Sequence, residues 1–546
     1  MNKMNLYSNI LKLNKYKYLA IFLLSVIALI LTLQGMSYSA DTLFPFRYAN
    51  LILSNEPYEI MVQPAPRFFP DVLYAALSIF ISNNTLDQIK IVALINISIL
   101  CTSVLYLFSI LFKKSQLTFI YSGFFCLLVP LLYLLQFGSL RANLFATGVH
   151  GFAIPFQLFL IALSIKLIQD ESMSKWGWLL YFLIGSICGI NDSLFLVSTI
   201  LPVCFAYTII WIVKKNNITN ISNLMFLLCN LFIVFVTLFS NKILNNLFEN
   251  MYFMSTTTEY FNTNFMTWLN GKAKVFLDQF FNLKKTQGAS YLVLISMLTS
   301  LICIVRIKKR DLDKTSITIL FLNIINITWL PIALFSMWAI DKGLVRYIPY
   351  ILLISPVIII VNLYKFIQSY QNIVLILQLI IIFLFGFHFI NEHHKYHYKS
   401  PESPNNYHQL MGKLSELKKH GIISENGLSD YWVAWSSTQE FGFNIISIDD
   451  TGNPFVFVSD ALAYWNKENG VLKKKKFTFV ISKSKKGKIW TIDEDELIKN
   501  YGNYNKVIPF NVKKKKFLIY VYSNGINSDY LYNGANQIRD NYFNRL

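Results

Sequence analysis

The sequence predicts an α-helical polytopic membrane protein that carries a separate C-terminal α/β domain outside the bilayer. Three observations lead there. Apolar runs of about 20 residues recur from Tyr18 to Ile390, the length a helix needs to cross a hydrocarbon core of ~30 Å. Charged residues make up 14% of the 546 positions and hydrophobic ones 54%, against about 25% charged in soluble domains. From residue 393 onward, polar and lysine-rich sequence with short β-rich runs takes over. The apolar runs are unbroken rather than alternating, which excludes a transmembrane barrel. Helices then remain as the way to satisfy backbone groups in lipid.

Taken in order, spans are expected at 17–36, 90–112, 116–136, 151–168, 175–190, 193–213, 222–240, 288–306, 316–338, 346–364 and 371–391, about 11–12 in all once the short stretch 68–82 is counted or left out. The first is read as a retained anchor, because it is longer than a signal-peptide core. With Lys3, Lys12, Lys15 and Lys17 in the cytoplasm, alternation brings Lys113–Lys114, Lys166 with Lys175, Lys214–Lys215, Arg306 to Lys314, and Lys365 to the same side. Lys284 and Lys285 break the pattern within a long loop. Phe68 to Ser82 must then lie re-entrant or interfacial. The odd count leaves the C-terminal region outside.

This divides the chain into a membrane domain (1–392) with a first outer loop at 37–73, a linker (393–409) and a soluble outer domain (410–546). In the outer domain, Leu410 to His420 reads as a helix. Phe441 to Ile448, Phe455 to Val458, Phe477 to Ile481 and Phe517 to Tyr522 read as strands, with a turn at Asp450 to Pro454. The net charge of +19 sits largely in orienting clusters, so no nucleic-acid partner is expected. All six cysteines fall in apolar runs without CxxC spacing, as small buried hydrophobes do. No P-loop, dinucleotide fingerprint, HExxH or GxSxG occurs.

The segment Ser39 to Leu73 holds most of the candidate chemistry. It carries Asp41, Arg47, Glu56, Glu59, Arg67 and Asp71 among Pro45, Pro57, Pro64, Pro66 and Pro70, so it cannot form one continuous helix. Asp41, just past the first span, reads as a general base for an acceptor hydroxyl or as a helix end facing water. Asp71, after Pro70 at the head of an apolar helix, reads as a second catalytic carboxylate or as a cap. Arg346, at the outer end of a span, is a fork for phosphate or a snorkelling anchor. Arg67 and Arg141 are weaker versions of the same. Asp192, beside Asn191, is an ionisable residue near membrane depth or a short turn in water. His150 suits phosphate donation, a proton relay or an interfacial resting place. His393, His394 and His397 cluster without cysteine in the linker. The lysine runs at 473–476, 483–488 and 513–516 suit anionic headgroups or solvated hairpin ends.

These residues carry a resemblance. An early acidic residue in SADTLFPFRYANLIL, a proline-rich approach to the next helix in PAPRFFPDVLYAAL, and Arg346-Tyr347-Ile348-Pro349 late in the membrane region resemble the GT-C superfamily of integral-membrane glycosyltransferases. Gly189 to Phe195 (GINDSLF) and Gly427 to Trp432 (GLSDYW) look like motifs of bacterial multi-spanning proteins of this type. The resemblance implies a GT-C-like fold in a bacterial inner membrane. It also implies inverting transfer of a sugar from a polyprenyl-phosphate donor to an acceptor on the extracytoplasmic face. Asp41 and Asp71 would be the catalytic carboxylates, with Arg346, His150, Asp192, Arg67 and Arg141 as substrate contacts. Partners would be the lipid-linked donor and membrane lipids. Asp41 stands between Ala40 and Thr42-Leu43 with no acidic neighbour, so no metal ligand is assigned and a divalent cation stays open as a cofactor. A transporter or flippase for a lipid-linked saccharide is the alternative, as is a non-catalytic membrane protein with a binding outer domain.

Overall fold

The computed structural model describes residues 40–53, 60–62, 68–111, 153–170, 173–192, 195–214, 221–247, 251–253, 264–268, 270–271, 274, 289–306, 314–340, 348–362, 404–430, 433–434, 441–454, 476–483, 492–512, 515–534 and 537. Two compact units, neither continuous in sequence, divide the chain. One comprises Met1–Met36, Val92–Phe239 and Thr257–Lys395; the other comprises Ser37–Ile91, Ser240–Thr256 and Tyr396–Leu546.

In chain order the elements begin with α1 (Ala40–Leu53), β1 (Ile60–Val62), a π-helical turn at Phe68–Val72, α2 (Leu73–Ile81) and α3 (Thr85–Leu111). Next come α4 (Ala153–Asp170), α5 (Lys175–Asn191), a second π-helical turn at Leu196–Ile200, α6 (Leu201–Lys214) and α7 (Ile221–Leu238). The series continues with α8 (Ser240–Leu247), β2 (Met251–Phe253), α9 (Ala289–Arg306), α10 (Lys314–Ile340) and α11 (Ile348–Asn362). The C-terminal part holds α12 (Pro404–Lys419), β3 (Asn426–Ser429), β4 (Asn444–Ser447), β5 (Phe479–Lys483), α13 (Glu494–Tyr501), β6 (Lys506–Val512) and β7 (Lys515–Val521). The spans expected between 90 and 112 and from 151 to 240, and those from 288 to 364, coincide with α3 to α7 and α9 to α11. The spans expected at 17–36, 116–136 and 371–391 lie outside the described residues.

Among the described residues, three segments are long and apolar enough to cross a membrane: Asp87–Leu111, Leu196–Val213 and Lys314–Phe335. What the helices show outward is the better argument for lipid. Trp176, Leu179, Leu180, Leu183 and Ile187 form an exposed stripe on α5 at helical spacing. Leu224, Leu228, Leu231, Phe235 and Leu238 do the same on α7. A soluble protein would turn such faces inward. By contrast α4 is buried on nearly every side, through Ile154, Leu158, Leu160, Ile161, Ala162 and Ile165, as a helix apolar all round must be.

Without a hydrophobic drive between helices in lipid, close approach and hydrogen bonds hold them together. Gly185 and Gly189 of α5 lie four residues apart and face Ile233 and Thr237 of α7, where an added Cβ would collide with either side chain. One turn earlier, the Tyr181 hydroxyl meets Asn230 Oδ1 at 3.1 Å. Gly189→Leu is therefore expected to cost about 1–3 kcal/mol through overpacking, read as a lower thermal midpoint in detergent, whereas Gly271→Leu, with open space around it, should leave the midpoint unchanged. In the same unit, α9, α10 and α11 share an uncharged polar seam. Asn323 and Asn362 exchange amide bonds of 3.0 and 2.9 Å, and Asn326 donates to Ser300 Oγ at 3.0 Å and to Ser296 Oγ at 3.2 Å.

In the second unit, α1 packs on α2 and on the turn before it, burying Leu43, Phe44, Phe46, Tyr48, Tyr74 and Ala75. Pro45 lies inside α1 rather than ending it. As the sixth residue of the helix it removes the hydrogen bond that its N–H would give the Asp41 carbonyl. Farther along, β1 pairs in parallel with β2 through Ile60 with Met251, Met61 with Tyr252 and Val62 with Phe253.

The C-terminal sheet has the order β4-β3-β5-β7-β6, with β4, β3 and β5 parallel and β7 and β6 antiparallel. Leu428, Ile446, Val480, Leu497 and Tyr520 form part of its core. The expected turn after β4 is built by the Asp449 carboxylate, which accepts from the Thr451 and Asn453 amides at 3.0 and 2.8 Å, and Gly452 takes φ 86° there. Gly427 sits opposite Phe479, whose ring fills the space a Cβ would need. Gly427→Val should thus destabilise this sheet by about 1–3 kcal/mol, seen as an earlier loss of its strand signal on heating. Gly412→Ala, which meets no neighbour, is the control.

Candidate functional site

Asp41 and Asp71 lie on two elements that pack on one another, α1 and the π-helical turn Phe68–Val72. Asp41 stands in the first turn of α1, where the positive end of the helix dipole favours an anion. Pro45 has no N–H to offer the Asp41 carbonyl one turn back. The Asp41 side chain lies outside the described residues. Asp71 lies within the π-helical turn Phe68–Val72, against which α1 packs, and is only 1% exposed.

Asp71 is not the cap that its position after Pro70 suggested. The N-cap position of α2 is Val72, at φ −66° and ψ −36°, with no side-chain cap, so helical backbone already runs through Asp71. A carboxylate enclosed this way must be bonded or paired to stay charged, and Asp71 is engaged with neighbouring groups. On α1, Phe44 and Tyr48 are buried and in edge contact with ring centroids 5.5 Å apart. A π-turn adds one residue to a helix and re-aims the side chains around it, and such turns recur at functional positions.

Asp192 occupies a similar setting in the other unit. It ends α5 in an extended conformation, φ −149° and ψ 107°, with its N–H donating to the Cys188 carbonyl at 2.9 Å. Its own carbonyl accepts from the Phe195 N–H at 2.9 Å, and the π-helical turn Leu196–Ile200 follows. At 2% exposure Asp192 is enclosed by protein, which removes the reading of a short turn in water. Gln157 of α4 donates to the Ser198 carbonyl inside that π-turn at 3.1 Å, while its Oε1 is buried without a partner. Sequence reasoning missed Gln157, since a lone amide in an apolar run carries no pattern. Arg67, Arg141, His150 and Arg346 lie outside the described residues, as do His393, His394 and His397.

A second charged feature closes the C-terminal sheet. Asp430, 2% exposed, follows β3 and pairs with Lys483 at the end of β5 at 3.1 Å. Its Oδ1 also accepts from the Val433 N–H at 3.4 Å. This is the boundary where the chain order reverses, with β4 on one side of β3 and β5 on the other, the position at which open parallel sheets take ligands. Of the lysine runs, the one at 483–488 thus begins with a residue already committed to an ion pair. Among the described residues, no three His, Cys, Asp or Glu side chains converge as a metal would require.

Lipid-facing helices and a C-terminal mixed sheet define a helical integral-membrane protein with an appended α/β region. No protein-family profile matches the chain, and no curated protein sequence does. Among solved structures, the chain is similar to the crystal structure of the Archaeoglobus fulgidus oligosaccharyltransferase in complex with Zn and sulfate, with a TM-score of 0.43 and 11% sequence identity over 84% of this chain and 68% of that one.

Proposed function

We propose that the protein is a membrane glycosyltransferase of the GT-C kind, moving a sugar from a polyprenyl-phosphate donor to an acceptor on the extracytoplasmic face of a bacterial inner membrane. The observation that carries this reading is the enclosed Asp71 carboxylate in a π-turn, packed against the helix whose first turn bears Asp41. In the reaction, the Asp41 carboxylate takes the proton of the acceptor hydroxyl as that oxygen attacks the anomeric carbon. The bond from that carbon to the phosphate oxygen breaks, the configuration inverts, and polyprenyl phosphate departs as the anion. Arg346 is assigned to the developing phosphate charge, and Arg67, Arg141, His150 and Asp192 are assigned as substrate contacts, as the resemblance implies. Asp71, enclosed, holds the Asp41 helix and its field in place rather than touching the acceptor.

The transporter reading draws on ionisable groups at mid-span. The polar seam of α9 to α11 consists of amides and hydroxyls bonded to one another, so the described part of that seam offers no ionisable group for such a pathway. The test is transfer of radiolabelled sugar from a synthetic polyprenyl-phosphate donor by the purified protein in liposomes supplied with cell-envelope acceptors. Labelled product supports the proposal. Donor movement across the bilayer without product would replace it with transport.

A further inference from the structure

We propose that the C-terminal region carries a recognition surface for a neutral saccharide chain, built from residues 501–505 and 522–533 around the rings of Tyr504 and Tyr530. The inference does not depend on the glycosyltransferase reading. Its first support is composition. The two stretches read YGNYN and YSNGINSDYLYN, in which fourteen of seventeen residues are Tyr, Asn, Ser or Gly and one, Asp529, is charged. Elsewhere the same region is lysine-rich, with runs at 473–476, 483–488 and 513–516. Recognition surfaces such as antibody paratopes share the Tyr, Asn, Ser and Gly make-up. Tyrosine supplies rigid amphipathic area at low entropic cost, and the small polar residues supply adaptable hydrogen bonds.

The fold joins the two stretches. The first leads from α13 into β6 and the second follows β7. The Asn505 N–H donates to the Val521 carbonyl at 2.8 Å, and the Asn527 N–H to the Tyr501 carbonyl at 3.3 Å. The Ser523 N–H donates to Asn505 Oδ1 at 2.7 Å. Tyr501, Tyr520 and Tyr522 are buried in the core of the sheet, and Tyr504 and Tyr530 pack half-buried on that core. Tyr504 stands in edge contact with Tyr520, centroids 5.1 Å apart, and donates its hydroxyl to the Glu494 carboxylate. Its ring is thereby fixed before any ligand arrives, which lowers the ordering cost of binding. Tyr530 meets Tyr501 edge-on at 5.9 Å. Asn503, Asn505, Asn524 and Asn527 are exposed on the same stretches.

Chemistry names the occupant. A pyranose ring presents C–H bonds on its faces and hydroxyls at its rim. Fixed tyrosine rings suit the faces, and asparagine amides, which both donate and accept, suit the hydroxyls. An anionic polymer would be drawn to the lysine runs instead. In the same core cluster the Tyr522 hydroxyl is buried, 2% of the residue being exposed, and has no hydrogen-bond partner. Such a group is unfavourable, and a ligand hydroxyl reaching it would relieve that.

The full chain in nanodiscs tests this by saturation-transfer NMR titration with maltohexaose, laminarihexaose and chitohexaose as probes. At least one should bind. Tyr504→Ala should weaken that binding by about tenfold or more, as loss of an aromatic anchor does, whereas Tyr504→Phe, which keeps the ring, should preserve it. Asn503→Ala, at an exposed position, should weaken binding by about threefold, the effect of one hydrogen bond, with no change in thermal midpoint. That variant keeps the test valid if Tyr504→Ala disturbs the fold. Binding of none of the three probes, or binding that neither alanine variant weakens, would overturn the proposal. So would binding of an uncharged Ser- and Asn-rich peptide in place of the saccharides, lost on Tyr504→Ala, which would make the surface one for peptides.

Discussion

Asp41→Asn is expected to abolish sugar transfer while the protein still inserts and accumulates at the parental level. The substitution keeps shape and hydrogen-bonding reach but removes the proton acceptor. General-base catalysis contributes about 10²–10⁴-fold, so the residual rate should fall at least a hundredfold. Fold should be spared, because asparagine is well tolerated in the opening turn of a helix such as α1. Asp71→Asn differs in kind. Its carboxylate is enclosed and engaged, so activity and thermal stability should fall together, in contrast to the activity-only loss at Asp41. The glycan profile of cells carrying each variant, compared with protein abundance, separates the two. An unchanged profile with Asp41→Asn sinks the assignment of the base.

Lys483→Met should cost the C-terminal sheet about 3 kcal/mol. Asp430 is nearly inaccessible and Lys483 is its ion-pair partner at 3.1 Å. Removing one member of a buried pair leaves the other charge uncompensated, typically at roughly 3–5 kcal/mol. The lower end applies because the lysine side chain keeps 26% of its exposure. Lys483→Met with Asp430→Leu should recover most of the loss, since an apolar pair of similar volume is often neutral. Protease susceptibility of the C-terminal region in the full chain reports both. Equal resistance of Lys483→Met and the parent would show the pair to be dispensable.

The helices that face lipid were legible because their cause is one-dimensional: a run of apolar residues long enough for a bilayer has few other fates. The expected ends of α4, α5, α7 and α9 therefore fall within a few residues of the observed ones. The π-turns at Phe68–Val72 and Leu196–Ile200 were not legible, because an inserted residue is stabilised by tertiary contacts such as that of Gln157 with Ser198. Asp192 read equally as a wet turn, since its enclosure depends on packing that no local pattern encodes. In the C-terminal sheet, β3 (Asn426–Ser429) escaped notice because Asn-Gly-Leu-Ser has neither alternation nor β-branching. β6 escaped because Pro509 argues against a strand. It is tolerated there because β6 is at the sheet edge. Asp41 and Asp71 stand out in the sequence by their place beside the first span and a proline, whereas the packing of α1 on the Asp71 turn has no local sequence signal.

The pairing of β1 with β2 also sets a clock on biosynthesis. Ile60 finds its partner only when Met251 has been made, 191 residues later by subtraction of the two numbers. At the ~5–20 residues per second of translation, that is a wait of roughly 10–40 s, during which α3 to α7 are made. The segment bearing Asp41 and Asp71 is thus synthesised well before the strand that β1 pairs with. It is completed only after α8, the last helix before β2, has been made.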